Sequence, residues 1–258
     1  MDETTAADRQ RWQEWREQRD DQFGQPYGWL SLTALHWLEL EPTPLDGLPG
    51  LWWEDEGGVH YDPDGAADTI VMDGEPVTRA GLLWNPADGA APSVSHGDRR
   101  LELILRDGFL GVRVRDPHSP GLQAYTGVPA FDYDPAWRLT GHYRPYAASQ
   151  EESIGSAAAR VKLSAQVTGE VELPVGDTTQ TLKVTGDGGS WLLSFRDPGH
   201  PKFRWIVLDE EPATDLIVDF NFAANPPCAF TDFGTCPLPP AGNVFGVAVA
   251  AGERDPRP

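Results

Sequence analysis

Residues able to do chemistry gather in three places along this chain. The first is "GVRVRDP", with Arg113, Arg115 and Asp116 at the end of a strand-like run. Side chains alternate along a strand, so Arg113 and Arg115 share a face. Two guanidinium groups side by side suit a carboxylate or phosphate held by paired hydrogen bonds. The competing assignment is an ion-pair network in which one arginine meets Asp116, Asp219 or Glu253. The second place is the block "DFNFAANPPCAFTDFGTCPLPPAGN", residues 219–243, with Asp219, Asn221, Asn225, Asn243 and both cysteines, Cys228 and Cys236. The third is Glu253 in "AGE". His142 in "TGHYRPY" is a further proton-transfer candidate, set against a plain structural histidine.

Between two strand-like runs, the block is far longer than the ~4–6 residues usual for a connection. It carries five prolines and two glycines. The prolines fix φ and lower the entropy of the unfolded chain, while asparagine side chains reproduce turn hydrogen bonds. Asp219 closes "LIVDF", whose alternation puts Ile217 and Asp219 on one face and Val218 and Phe220 on the other. A carboxylate on a core-like face must be paired or hydrogen-bonded. The block is therefore a stiffened loop holding amides and a carboxylate in place. It is either a plug over a barrel mouth or sheet edge, or one wall of a ligand pocket. Cys228 and Cys236 admit buried thiols, a disulfide stabilising by about 2.5 kcal/mol on the loop-entropy model, or, more weakly, a metal site. Zinc needs about four ligands, and the loop holds no histidine.

The elements that must position these groups are mostly strands. Residues 4–23 read as a helix, with Trp12, Trp15, Arg19 and Phe23 at helical spacing. "GWLSLTALHWLEL" (28–40) is ambiguous: Ser31 fits as the cap of a short helix burying Leu32, Leu35 and Leu38, with Trp29 and Leu30 in an incoming strand. From residue 50 onward hairpins follow one another. Turns are expected at Gly57-Gly58, at Asp73-Gly74 and, most plainly, at Asp107-Gly108. Short strands at regular spacing predict an antiparallel β-sandwich or barrel with an N-terminal helix. The chain is expected to be a single domain: helix 1–24, a first β half 25–146, a Ser/Ala-rich soft connection 147–164, and a second β half 165–258 carrying the loop.

Composition narrows the partners. Lysine and arginine total 20 against 40 acidic residues, for a net charge of −20. Such a surface repels phosphate backbones and anionic lipid, so neither nucleic acid nor membrane is an expected partner. No apolar run reaches the ~20 residues of a membrane span, and the charged start differs from a signal peptide. The expected location is the cytoplasm, where two cysteines do not make a disulfide scaffold. The ten tryptophans suggest sugar stacking at Trp52-Trp53, against ordinary core packing. GxSxG, HExxH, Walker and GxGxxG patterns are missing, and no cofactor is predicted.

The 219–243 block followed by "AGE" at 251–253 resembles the signature of the domain-of-unknown-function family 1684, found in bacteria and archaea. That family carries DFN, NPPCA, CPLPP with a following Asn, and AGE. "GWLSLTALHWLE" is similar to its N-terminal element, and "GVRVRDPHSPGLQAYTGVPAFDYDPAWRL" to its central segment. In "FRDPGHPKFRWIVLD" the chain keeps Asp197 and Gly199 but lacks the family's Thr-Tyr and Gly-Arg elements. The resemblance implies an architecture and candidate residues, without a reaction. The expectation is a small, anionic molecule bound by Arg113, Arg115, Asp116, Asn221, Asn225 and Asn243, with Asp219, Glu253 or His142 as acid or base. The alternative is a structural or carbohydrate-binding module with those charges packed solid. The oligomeric state is left open.

Overall fold

The computed structural model describes residues 3–66, 68–187 and 189–257. The chain is mainly antiparallel β with an N-terminal helix, α1 (Glu3–Phe23). It groups into two compact units: Met1–Gln22 with Gly127–Pro258, and Phe23–Thr126. The first unit is thus assembled from both ends of the chain.

In the unit formed by Phe23–Thr126, a 3-10 turn at Trp29–Ser31 leads into β1 (Leu32–Trp37). Of the two readings open for residues 28–40, the short helix does not form. Ser31 Oγ donates back to the Gly28 carbonyl at 2.6 Å, and β1 pairs antiparallel with a later strand. A helix of two turns pays the nucleation cost for few bonds, whereas a strand gains a full ladder. There follow β2 (Thr43–Pro44), β3 (Leu51–Asp55), β4 (Gly58–Asp62), β5 (Val71–Met72), β6 (Glu75–Pro76), β7 (Gly81–Trp84), β8 (Val94–His96), β9 (Arg99–Arg106) and β10 (Phe109–Arg115). They form two sheets, ordered β1-β10-β9-β8-β5-β6 and β2-β3-β4-β7.

Asp107 (φ 51°) and Gly108 (φ 79°) both sit left-handed, the requirement of the two-residue turn that matches strand twist. Asp73-Gly74 repeats this. In the β3–β4 hairpin the turn residues are Glu56 and Gly57, one position earlier than expected, because Gly58 already opens β4. Trp52 is fully buried, its ring 4.8 Å from that of Tyr61. Trp53 stacks on His60 instead of standing free.

The other unit has one sheet: β11 (Arg138–Gly155), β12 (Lys162–Val175), β13 (Thr178–Asp187), β14 (Ser190–Phe195), β15 (Arg204–Leu208) and β16 (Asp215–Asp219). Its order is β15-β14-β13-β12-β11-β16. The sheet curls into a half-barrel, so edge strands β15 and β16 approach each other without pairing. Inside lie Val171, Leu182, Phe195, Val218, Phe220 and Phe245. Residues 147–164, read from composition as a soft connection, are the end of β11, a short turn and the start of β12. The β11–β12 register slips between Pro145 and Gln150, where proline has no N–H for the ladder.

Candidate functional site

The proline-rich block is a set of short turns pinned by its asparagines. Asp219 ends β16 and caps the 3-10 turn Phe220–Phe222, its Oδ1 accepting from Asn221 N at 3.0 Å and Asn221 Nδ2 at 2.8 Å. Asn221 also exchanges hydrogen bonds with the Asp134 backbone: Asp134 N donates to Oδ1 (2.9 Å) and Nδ2 donates to Asp134 O (2.8 Å). Asn225 Nδ2 donates to Arg254 O at 2.7 Å. Asn243 acts as a wedge. β13 and β14 pair only at Thr185–Asp187 with Ser190–Leu192. Where they diverge, Asn243 Nδ2 donates to Lys183 O and Ser194 O (2.8 Å each), and its Oδ1 accepts from Lys183 N at 2.8 Å. The three asparagines, candidate ligand contacts by sequence, are engaged with backbone.

Charge pairing departs from expectation. Glu253, fully buried, meets Arg19 of α1: Arg19 Nε donates to Oε1 at 2.6 Å and Nη2 to Oε2 at 3.1 Å. Oε2 also accepts Asn225 N at 2.6 Å, and Arg19 Nη2 reaches Asn225 O at 3.0 Å. The α1 stripe predicted from spacing does this docking. Trp12 Nε1 donates to Asn221 O at 3.1 Å, and Trp15 tilts against Phe222 with centroids 5.3 Å apart.

A second pair went unnoticed in the sequence. Arg204 of β15, 1% exposed, donates to Asp197 Oδ2 at 2.7 Å and to the carbonyls of Val249 (3.0 Å), Ala251 (2.6 Å) and Glu253 (3.1 Å). Asp197 Oδ1 accepts Gly199 N and Val249 N. Burial presses the Arg204 guanidinium below its ordinary value, opposed by Asp197 and Glu253. The signal in the sequence was an arginine inside the apolar run "FRWIVL". Gly252 completes the latch: at its φ of +75° a Cβ would lie only 2.5 Å from Ala223 O and fit only by shifting the backbone.

Arg113 and Arg115 lie in the unit formed by Phe23–Thr126 and share Glu102 there. Arg113 Nη1 approaches Oε1 at 3.4 Å, and Arg115 Nη2 donates to Oε2 at 2.7 Å. Arg115 also serves the Tyr27 and Gly28 carbonyls, and both guanidinium groups stand over Trp29. The Asp116 carboxylate accepts His118 N at 2.7 Å, a local turn. His142 is exposed on β11, opposite Glu172 and Asp215. The cysteines are buried and unbridged, with Cys228 N directed at Cys236 Sγ at 3.4 Å. The hydrogen bond from Cys236, then burial, push the Cys228 thiol up. Among the described residues no group of three or more His, Cys, Asp or Glu side chains comes together as a metal site.

Among the described residues, one buried carboxylate keeps an oxygen without a hydrogen bond. Asp219 lies beside Ile217 on the outer face of β16, yet is only 8% exposed. Its Oδ2 has no hydrogen-bond partner and stands 4.0 Å from Arg138 Nε, which lies 3.2 Å from Asp8 of α1. Burial raises the Asp219 pKa, opposed by the Asn221 hydrogen bonds and by Arg138. Tyr133 Oη is likewise buried without a partner, and burial together with the Asp219 and Asp8 charges raises its pKa. Asp219 and Arg138 form part of the wall of a cleft of about 850 Å³ between α1 and the β15–β16 edges, with Arg11, Trp15, Trp205 and Phe222 among its other walls.

No helix among the described residues is long and apolar enough to cross a membrane. No curated protein matches the chain. Among solved structures it is similar to the solution NMR structure of the uncharacterized protein from gene locus rrnAC0354 of Haloarcula marismortui, at 19% identity and a TM-score of 0.43. That likeness covers 53% of this chain and 80% of the other. The family model described as "Protein of unknown function (DUF1684)" matches residues 123–254, the stretch containing Asp219, the NPPC and CPLPP turns and the Arg204–Asp197 latch. The chain belongs to the DUF1684 family.

Proposed function

We propose that the protein binds a small molecule carrying an anionic group in the cleft beside α1. Arg11 and Arg138, which share Asp8 at 3.3 and 3.2 Å, turn from it to meet the anion, the rings of Trp15, Trp205 and Phe222 cover its apolar part, and Asp219 is the group placed to move a proton. The observation that carries this reading is Asp219, a residue of the wall of a cleft of about 850 Å³ whose buried Oδ2 makes no hydrogen bond. A cleft of this size suits a small ligand. A carboxyl whose pKa is raised by burial exchanges its proton nearer neutrality than a free one. The reading sets the protein in the cytoplasm, as a binding protein first and an enzyme only through Asp219. Arg113 and Arg115 belong to the unit formed by Phe23–Thr126 and have no part in it.

Thermal-shift measurement against acetate, succinate, citrate and inorganic phosphate tests the reading. At least one anion is expected to raise the melting temperature of the wild-type chain, and Arg138→Gln should abolish that rise. No shift from any anion, together with a bare mass in native mass spectrometry, would remove the cleft as a ligand site.

A further inference from the structure

The two edges that form the wall of the cleft carry unused backbone hydrogen bonds, and these specify a ligand. On β16, Thr214 O accepts from Tyr143 N at 2.8 Å. Antiparallel register then directs Leu216 and Val218 toward β11, and turns the N–H and C=O of Asp215 and Ile217 outward. On β15, Trp205 exchanges both of its bonds with Ala224, on the side away from β14. The same alternation turns the N–H and C=O of Val207 outward. Neither edge pairs with a further strand, and Val207 and Ile217 are 59% and 46% exposed. Open apolar edges of this kind are templates for an added strand.

Charge gives the added strand a direction. Asp209, Glu210, Glu211 and Asp215 lie at the connection between β15 and β16. Arg138 stands opposite Asp219 at the other end of β16, four residues away or about 13 Å. Arg11 lies toward that same end, over the ring of Phe222, and shares Asp8 with Arg138. Glu14 and Asp219 are also in the wall there, and a peptide carboxylate competes with Asp8 for the two guanidinium groups. We infer that the ligand of this cleft is an extended peptide of about four or five residues. Its C-terminal carboxylate lies at Arg11 and Arg138, its backbone pairs with the open edges at Val207 and Ile217, and a basic residue or free amine lies among the acidic side chains. This rests on the anion-binding reading above and names its anion as a peptide carboxylate.

The test uses the whole chain and the synthetic peptide Lys-Thr-Val-Thr-Val, as free acid, as C-terminal amide and with its central backbone nitrogen methylated. Binding is followed by calorimetry and by the fluorescence of the cleft tryptophans, with succinate as a small-anion control. Val207→Pro and Ile217→Pro each delete one outward N–H that serves no neighbouring strand, and circular dichroism checks their folding. The free acid is expected to bind, and the amide and the methylated peptide about tenfold or more weakly, the scale of one lost charge-assisted bond. Each proline variant should lose affinity for the peptide while holding succinate as the wild type does. Equal binding of acid, amide and methylated peptide would overturn the inference. So would succinate binding without peptide binding, or edge-to-edge dimers in ultracentrifugation that Val207→Pro dissolves. Failure of succinate and peptide alike would remove the anion-binding reading itself.

Discussion

Removing Arg204 should cost more than removing an ordinary buried ion pair, and the reason lies in its four acceptors. Exchanging a buried pair for apolar residues of similar volume is often neutral or stabilising, because desolvation offsets the Coulomb gain. Here the guanidinium also satisfies the carbonyls of Val249, Ala251 and Glu253. Arg204→Met leaves those oxygens at about 1–3 kcal/mol each and strands the Asp197 carboxylate at about 3–5 kcal/mol. The total rivals the ~5–15 kcal/mol of a whole domain, so this variant is expected not to fold the unit. Asp197→Asn keeps most of the shape and strands only the cation, a loss of about 3–5 kcal/mol. The deciding variant is the double Asp197→Leu/Arg204→Met. It removes both charges yet leaves the three carbonyls, so it should remain at least about 3 kcal/mol below wild type. Urea unfolding followed by tryptophan fluorescence gives the values. A double variant within about 1 kcal/mol of wild type would refute the claim that Arg204 latches the C-terminal segment and would return the pair to the general rule.

Gly252→Ala forces a Cβ against Ala223 O and Phe220 O at positive φ, and should destabilise by about 1–3 kcal/mol in the same urea experiment. Asn243→Ala leaves Lys183 and Ser194 backbone groups unpaired and should cost about 2–4 kcal/mol, with faster amide exchange at Lys183 as the local readout. Cys228, with its thiol pushed up, should react with a disulfide reagent at neutral pH only after denaturation, and native labelling at the rate of a free thiol would contradict its burial. Asp219 gives a pH test. Its folded pKa lies above the unfolded one, so its contribution is complete below the unfolded value and is lost as pH rises through the folded value. Asp219→Asn should therefore gain stability relative to wild type on going from pH 3 to pH 8, and a difference that shrinks over that range would show the sign to be wrong.

Local chemistry made the hairpins legible. Asp73-Gly74 and Asp107-Gly108 supply two left-handed residues in a row, a demand met within the turn itself. The stripe of Trp12, Trp15 and Arg19 was legible for a similar reason, since helical spacing depends on the helix alone. Residues 28–40 stayed ambiguous between a short helix and a strand because apolar spacing suits both, while the deciding term is a ladder to β10 far along the chain. The partners of the charges were hidden by the same distance. Glu253 meets Arg19 across 234 residues, and nothing in "AGE" distinguishes that arginine from Arg113 or Arg115. Arg204 meets Asp197 across only seven, but its weight comes from three carbonyls, and backbone oxygens leave no trace in residue types.

Counting committed valences locates function better than counting candidate residues. Glu253 has both oxygens occupied, by Arg19 and Asn225 N; Asp197 has both occupied, by Arg204, Gly199 N and Val249 N. Removing or protonating either opens the latch that holds Val249–Glu253, so neither can work as an acid or base without loosening the fold. Asp219 uses Oδ1 alone to hold the Phe220–Phe222 turn, and its Oδ2, without a hydrogen bond, faces Arg138 Nε at 4.0 Å. Its protonation leaves the turn bonds on Oδ1 in place, and burial favours the protonated form. A residue that can change charge without losing its place is what a binding or proton-transfer site requires. In the proposed site the DFN motif supplies the carboxylate, whereas Asn225, Asn243 and Glu253 of the NPPC, CPLPP and AGE segments are committed to backbone and to Arg19.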